Sequence, residues 1–181
     1  MRIKREDSLL VAVDYQEKIL PAVLNREELM KKSLRLIRGM KALGVPMLVS
    51  EQYPKGLGKT VGEVAELVGE EFNPVEKMTF SCAGEEEFMK RLAATGRKTV
   101  IICGIEAHVC VLQTVIDLMG EGYTVVMVKD CVSSRFAEDL EVGLKRAELE
   151  GAIITTSESL LFELTEVAGS DVFKTISKLV K

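Results

Sequence analysis

The sequence predicts an α/β protein, a three-layer α/β/α domain built on a mainly parallel, six-stranded, Rossmann-like sheet with helices on both faces. Three observations lead there. Short β-branched apolar runs alternate with longer stretches of helical period, the pattern left by parallel strands joined through crossover helices. The helical stretches stop at glycine or at glycine followed by proline, where helices end. Finally, 181 residues, 47% of them hydrophobic, can bury a substantial core without metals or disulfides. Residues 1–181 are therefore expected to form one domain.

The elements follow in order. Leu9–Val13 is an apolar run ending at Asp14, the first strand. From about Arg26 to Leu43, Leu29, Leu36, Met40 and Leu43 recur at helical spacing, and Gly44 and Pro46 close the helix. Pro46–Ser50 is a second strand. It leads into a polar loop, Glu51–Thr60, where Pro54, Gly56 and Gly58 oppose regular structure. Val61–Leu67 is a short helix and Val75–Met78 a third strand. The next helix opens on Glu85, Glu86 and Glu87 and stops at Gly96, as the helix dipole favours. Thr99–Cys103 is a fourth, strongly apolar strand. Gly104–Val109 then turns the chain into a helix that reaches about Gly120. Thr124–Val128 and Ala152–Thr155 are strands five and six around a helix Ala137–Glu150, and two helices complete the chain.

Composition removes several classes of function. With 29% charged residues of interspersed sign and a net charge of −4, no basic stripe exists for a phosphate backbone, so nucleic acid is not an expected partner. No apolar stretch approaches the ~20 residues that span a bilayer, and the opening MRIKREDSLLVAVDYQ lacks a small-residue cleavage site. Cys82, Cys103, Cys110 and Cys131 show neither CxxC spacing nor a disulfide framework, which fits a reducing cytoplasm. There is no GxGxxG after a strand and no GxxxxGK[ST], so dinucleotide and P-loop sites have no support.

In an open parallel sheet, side chains just past the C-terminal ends of the strands share one crevice. Asp14 follows strand one, Lys77 lies at the end of strand three and Cys110 opens the helix after strand four. A thiol is mostly neutral at pH 7, with a pKa of about 8.5, but helix N–H groups and a nearby ammonium stabilise its thiolate. A carboxylate within reach takes the proton and returns it to a leaving group, the role open to Asp14. Lys77 would act by its charge, not as a nucleophile. Cys82, Cys103 and Cys131 are expected to be small core residues. His108, two residues before Cys110, would point away from the sulfur and shape a pocket or an interface. Tyr15, Tyr53 and Phe80 are candidates to line a substrate pocket.

Four segments carry a resemblance to a known family: VDYQ (Val13–Gln16), EKMTFSC (Glu76–Cys82), CGIEAHVCVLQT (Cys103–Thr114) and KDCVSSR (Lys129–Arg135). Together they resemble the isochorismatase-like hydrolases, which include nicotinamidases, N-carbamoylsarcosine amidohydrolases and isochorismatases. EQYPKGLG (Glu51–Gly58) is most similar to the isochorismatase-domain-containing subgroup. The resemblance implies that Asp14, Lys77 and Cys110 are the catalytic triad and that a thioester or similar covalent adduct forms and is resolved by water. It also implies a cis peptide at Ile105–Glu106, with the oxyanion held by the N–H groups of Glu106 and Cys110. Metal-binding nicotinamidases use an aspartate and two histidines, whereas this chain has His108 alone, so neither a metal nor an organic cofactor is expected.

The expected activity is hydrolysis of a C–N amide or related bond in a small molecule. The alternatives are isochorismatase-type vinyl-ether cleavage and a non-enzymatic binding or scaffolding role on the same fold. A homo-oligomer, dimer or larger, is expected from the resemblance and from the apolar stripe Val172, Phe173, Ile176, Leu179 and Val180 in the last helix.

Overall fold

Strand β1 (Ser8–Val13) is buried along its whole length, and its two faces belong to different cores. Leu10 and Ala12 pack into one cluster, Leu9, Val11 and Val13 into the other. A strand that is apolar on both faces fits only the centre of a sheet covered on both sides. The computed structural model describes residues 1–181 and shows that arrangement, a three-layer α/β/α fold. Its six strands are β1, β2 (Met47–Gln52), β3 (Val75–Lys77), β4 (Thr99–Ile105), β5 (Thr124–Ser133) and β6 (Ile153–Thr155), in the order β3-β2-β1-β4-β5-β6. Every ladder is parallel. An isolated antiparallel bridge joins Gln16 to Thr60.

The helices are α1 (Arg26–Leu43), α2 (Pro54–Leu57, a single turn), α3 (Gly62–Val68), α4 (Glu86–Ala94), α5 (Leu112–Gly120), α6 (Ala137–Glu150), α7 (Ser157–Thr165) and α8 (Asp171–Val180). The amide of Gly44 caps α1 through the carbonyls of Lys41 and Met40, at φ +68°. That left-handed conformation is why glycine stands there.

Three strands run further than expected. β2 continues through Glu51 and Gln52 because β3 supplies their ladder partners, Glu76 and Lys77. β4 reaches Ile105. β5 reaches Ser133 through an irregularity: Ile102 pairs with Met127 and Gly104 with Val132, so the one residue between them in β4 stands opposite four of β5. The segment after β2 contains the turn α2, so its proline and glycines redirect the chain without leaving it fully irregular.

The C-terminal helix corrects one argument for an oligomer. Ile176 is fully buried within the chain's own core, and Val172, Leu179 and Val180 pack against it, next to α1. Four of the five stripe residues of α8 are thus occupied inside the chain and give no ground for a second copy, while Phe173 stands 6.3 Å from Phe162, ring to ring.

Candidate active site

The strand order reverses between β1 and β4, which open sheets of this kind use as a binding crevice. Asp14 stands immediately beyond β1, and Cys110 lies in the turn after β4. Asp14 adopts φ +54°, an uncommon conformation for a residue with a side chain, and its N–H donates to the Ser50 carbonyl at 3.2 Å. Lys77 comes from β3, two strands from β1 and thus about 10 Å away at the backbone. A lysine side chain covers most of that distance. Its ammonium donates to Asp14 Oδ2 at 2.8 Å, to Gln52 Oε1 at 2.7 Å and to the Phe80 carbonyl at 2.9 Å.

An ammonium has three N–H groups, and three short bonds occupy them. Lys77 is therefore a fixed charge with no donor left for a ligand. Burial works against that charge, but the coulombic pull of Asp14, with smaller contributions from Cys110 and Cys82, outweighs it and raises the Lys77 pKa above its ordinary value. Asp14 also accepts from Ser50 Oγ at 2.8 Å on Oδ1. Each of its oxygens has one donor and a second lone pair free, so the carboxylate is oriented without being saturated.

Cys110 is buried, 7% exposed, in a π-helical turn, Ala107–Val111, that runs into α5. Burial pushes its thiol up to about 12, and the Asp14 charge adds to that, while Lys77 works in the opposite direction. Thr114 Oγ1 donates to the Cys110 carbonyl at 2.7 Å and accepts the Cys82 N–H at 2.9 Å, bracing the Cys110 turn against the segment that follows Lys77. Glu85 closes that segment from the other side. Its Oε1 accepts from the N–H of Met78 at 3.0 Å and the hydroxyl of Thr79 at 2.9 Å.

The Ile105–Glu106 peptide is cis. Glu106 is 6% exposed, its carboxylate accepts from Arg135 Nε at 2.7 Å, and its carbonyl accepts from the N–H groups of Val109 and Val111. His108 turns away from the sulfur: Nδ1 lies 2.9 Å from Ser134 Oγ, and Nε2 lies 3.7 Å from Asp139 on α6.

The three candidate pocket residues separate. Tyr53 lines a cavity of about 360 Å³ with Pro54, Lys55, Lys77, Met78 and Glu85. Phe80 is half-exposed, and its carbonyl belongs to the Lys77 cradle. Tyr15 is not in a pocket. It is fully buried, its hydroxyl 2.7 Å from Ser33 Oγ and bonded to the Cys131 carbonyl at 2.7 Å, so it ties α1 to β5. The alternation of side chains is broken at the left-handed Asp14, which sends Tyr15 into the core.

The sequence reading does not single out Ser50 and Gln52, which bond the pair, or Thr114, which braces the Cys110 turn, and it places Cys82 only in the core. Cys82 belongs to the core as expected, but Asp14 and Lys77 both act on its thiol, which burial lifts to about 11. Its place in EKMTFSC, with Lys77, was the available signal. No group of three or more His, Cys, Asp and Glu side chains is arranged to hold a metal ion.

A parallel sheet of this order, with a buried carboxylate–ammonium pair at its reversal point and the Cys110 thiol under the influence of both charges, defines a three-layer, Rossmann-like α/β/α protein. The chain belongs to the isochorismatase family, whose isochorismatase domain matches residues 8–159. It is 38% identical over 174 residues to isochorismatase domain-containing protein 1 of Danio rerio, covering 96% of this chain and 61% of that one. The chain thus spans about three fifths of that relative. It is 37% identical to the secreted isochorismatase effector Isc1 of Phytophthora sojae, covering 99% of this chain and 87% of the effector. Among solved structures, the MAR1 ribonuclease from Caenorhabditis elegans superposes with a TM-score of 0.92 at 39% identity, over 99% of this chain and 92% of that chain.

Proposed function

We propose that residues 1–181 form one cysteine hydrolase domain that cleaves a C–N amide or related bond in a small molecule. The observation that carries the reading is the buried Asp14–Lys77 pair, 2.8 Å apart, whose charges both act on the Cys110 thiol. Asp14 takes the thiol proton as the sulfur bonds to the substrate carbonyl carbon. The oxyanion is received by the N–H groups of Glu106 and Cys110, and Asp14 passes its proton to the departing nitrogen as the C–N bond breaks. Water, deprotonated by Asp14, then attacks the thioester, the acid leaves, and the thiol recovers its proton. Lys77 keeps the site's charge balanced throughout. No step requires a metal or an organic cofactor.

Tyr53 and Phe80 are assigned to the substrate mouth. Four free, buried thiols support a cytoplasmic location; the secreted relative makes localisation of the tagged protein a direct test. No helix is long and apolar enough to cross a membrane. A homo-oligomer is proposed from the family resemblance alone, and sedimentation tests it.

The decisive experiment profiles the purified protein against amides, ureides and isochorismate beside Cys110→Ala, with mass spectrometry for an acyl adduct on Cys110. Turnover of an amide with an adduct, absent from Cys110→Ala, is the expected result. Full turnover by Cys110→Ala would sink the thiol mechanism and favour vinyl-ether cleavage. The name of the C. elegans structure adds RNA as a substrate to be tested. The net charge of −4 and a single histidine engaged by Ser134 argue against it.

A further inference from the structure

β2 lies between β1, which leads to Asp14, and β3, which carries Lys77, so the end of β2 is the ground that the lysine must cross. The residue there is Gln52. It is the ladder partner of Lys77, so the two side chains leave the same face of the sheet. Its Oε1 accepts from the ammonium at 2.7 Å while its Nε2 donates to the Met78 carbonyl at 3.1 Å. The backbone of Gln52 is itself held by a second amide. Gln16, fully buried two residues after Asp14, accepts the Gln52 N–H on Oε1 at 2.7 Å and donates from Nε2 to the Gln52 carbonyl at 2.9 Å and the Gly58 carbonyl at 2.7 Å. A side-chain amide here completes the hydrogen bonding of a strand end and locks it to the chain that carries Asp14.

Resting on the triad reading above, we propose that Gln52 is a positioning residue of the hydrolase, with Gln16 as its anchor. Gln52 fixes the Lys77 ammonium against Asp14 and, because it is a neutral acceptor, leaves the lysine's whole charge to act on Cys110. Glutamine supplies two things that no other residue supplies together. Its oxygen gives the third N–H of a buried ammonium a short bond at 2.7 Å, where the alternative acceptor, the Thr79 carbonyl, lies 3.4 Å away. Its lack of charge means that Asp14 is the only carboxylate bonded to that ammonium. A glutamate of the same size would keep the hydrogen bond and divide the charge. The titratable groups that act with Lys77 are Asp14 beyond β1, Cys82 in the turn after β3, Cys110 after β4, and Glu85, which is committed to Met78 and Thr79. None of them would cancel a second carboxylate at position 52.

The test reads the rate at which Cys110 is alkylated by iodoacetamide between pH 7 and 9, resolved by peptide mass spectrometry, which needs no substrate. Below the thiol pKa this rate follows the thiolate fraction. A full negative charge added beside the Lys77 ammonium, in a site of effective dielectric about 20, raises the thiol pKa by roughly one unit. Gln52→Glu is therefore expected to slow alkylation about tenfold across the range. Gln52→Asn keeps the amide but cannot reach Lys77, and is expected to slow it severalfold. Circular dichroism melts accompany each variant, and the Asn variant carries the test if the Glu variant does not fold. Folded variants that alkylate at the native rate would overturn the proposal and leave Gln52 a merely structural amide. If Cys82, Cys103 or Cys131 of the native protein is labelled before Cys110, the triad reading itself fails, a result distinct from the first.

Discussion

Replacing Lys77 with methionine tests the electrostatics of the site. The Lys77 and Asp14 side chains are 1% and 2% exposed, with nitrogen and oxygen 2.8 Å apart. Methionine fills much the same volume and removes the charge, leaving a buried carboxylate with Ser50 as its remaining side-chain donor. Breaking a buried pair from one side costs about 3–5 kcal/mol, against roughly 0–1 kcal/mol for an exposed one. For a chain of this length that corresponds to a fall in Tm of about 6–20 °C. Urea denaturation at pH 7, followed by circular dichroism, measures the loss. The double variant Asp14→Asn, Lys77→Met should recover most of it, because no buried charge remains. The sign of the pH dependence is fixed too. The folded pKa of Lys77 is raised, so its contribution is fully present below the unfolded value of about 10.4 and disappears as pH rises through the folded value. The native-minus-variant difference should therefore be flat from neutrality to about pH 10 and shrink above it. A loss below about 1 kcal/mol, or a double variant no more stable than the single one, would refute this reasoning.

Two further outcomes follow from single positions. Gly104 has φ +142°, and a Cβ there would lie 2.3 Å from the Val13 carbonyl oxygen, immediately before Asp14. Gly104→Ala should cost at least about 3 kcal/mol in chemical denaturation, and a variant within 1 kcal/mol of native would contradict the close approach. For Glu85, slight burial pushes the carboxyl up, but hydrogen bonds from Met78 and Thr79 prevail and lower its pKa. Its contribution is present above the unfolded value of about 4.3 and is lost as pH falls through the lower folded value. Stability curves of native protein and Glu85→Gln should run parallel above about pH 5 and converge below it; convergence on the alkaline side instead would show that another group is responsible.

How much of this was legible depends on the range of the interaction involved. α1 and α6 occupy the residues that the periodicity assigned them, because helical period, Gly44 and Gly151 are local signals. The fold class was legible in the alternation of short apolar runs with stretches of helical period, the pattern that parallel strands joined by crossover helices leave. Asp14, Lys77 and Cys110 could be singled out because the C-terminal ends of parallel strands open on one side and because the motifs around them resemble those of the isochorismatase-like hydrolases. Tertiary structure alone decided the rest. β2 gains Glu51 and Gln52 from ladder partners in β3 that no local pattern announces. Tyr15 is drawn into the core by Ser33 and by Cys131, 116 residues away, and so leaves the pocket that its position beside Asp14 suggested. Gln16 and Gln52, 36 residues apart, form the amide pair beneath Lys77. The sequence by itself determined the layers, most elements and the reactive types at the strand ends, since those are written in periods of two and 3.6 residues. Which side chains saturate Lys77, which thiol lies beside Asp14 and which tyrosine is buried are set by contacts between distant segments, and these exist only once the sheet has assembled in its order.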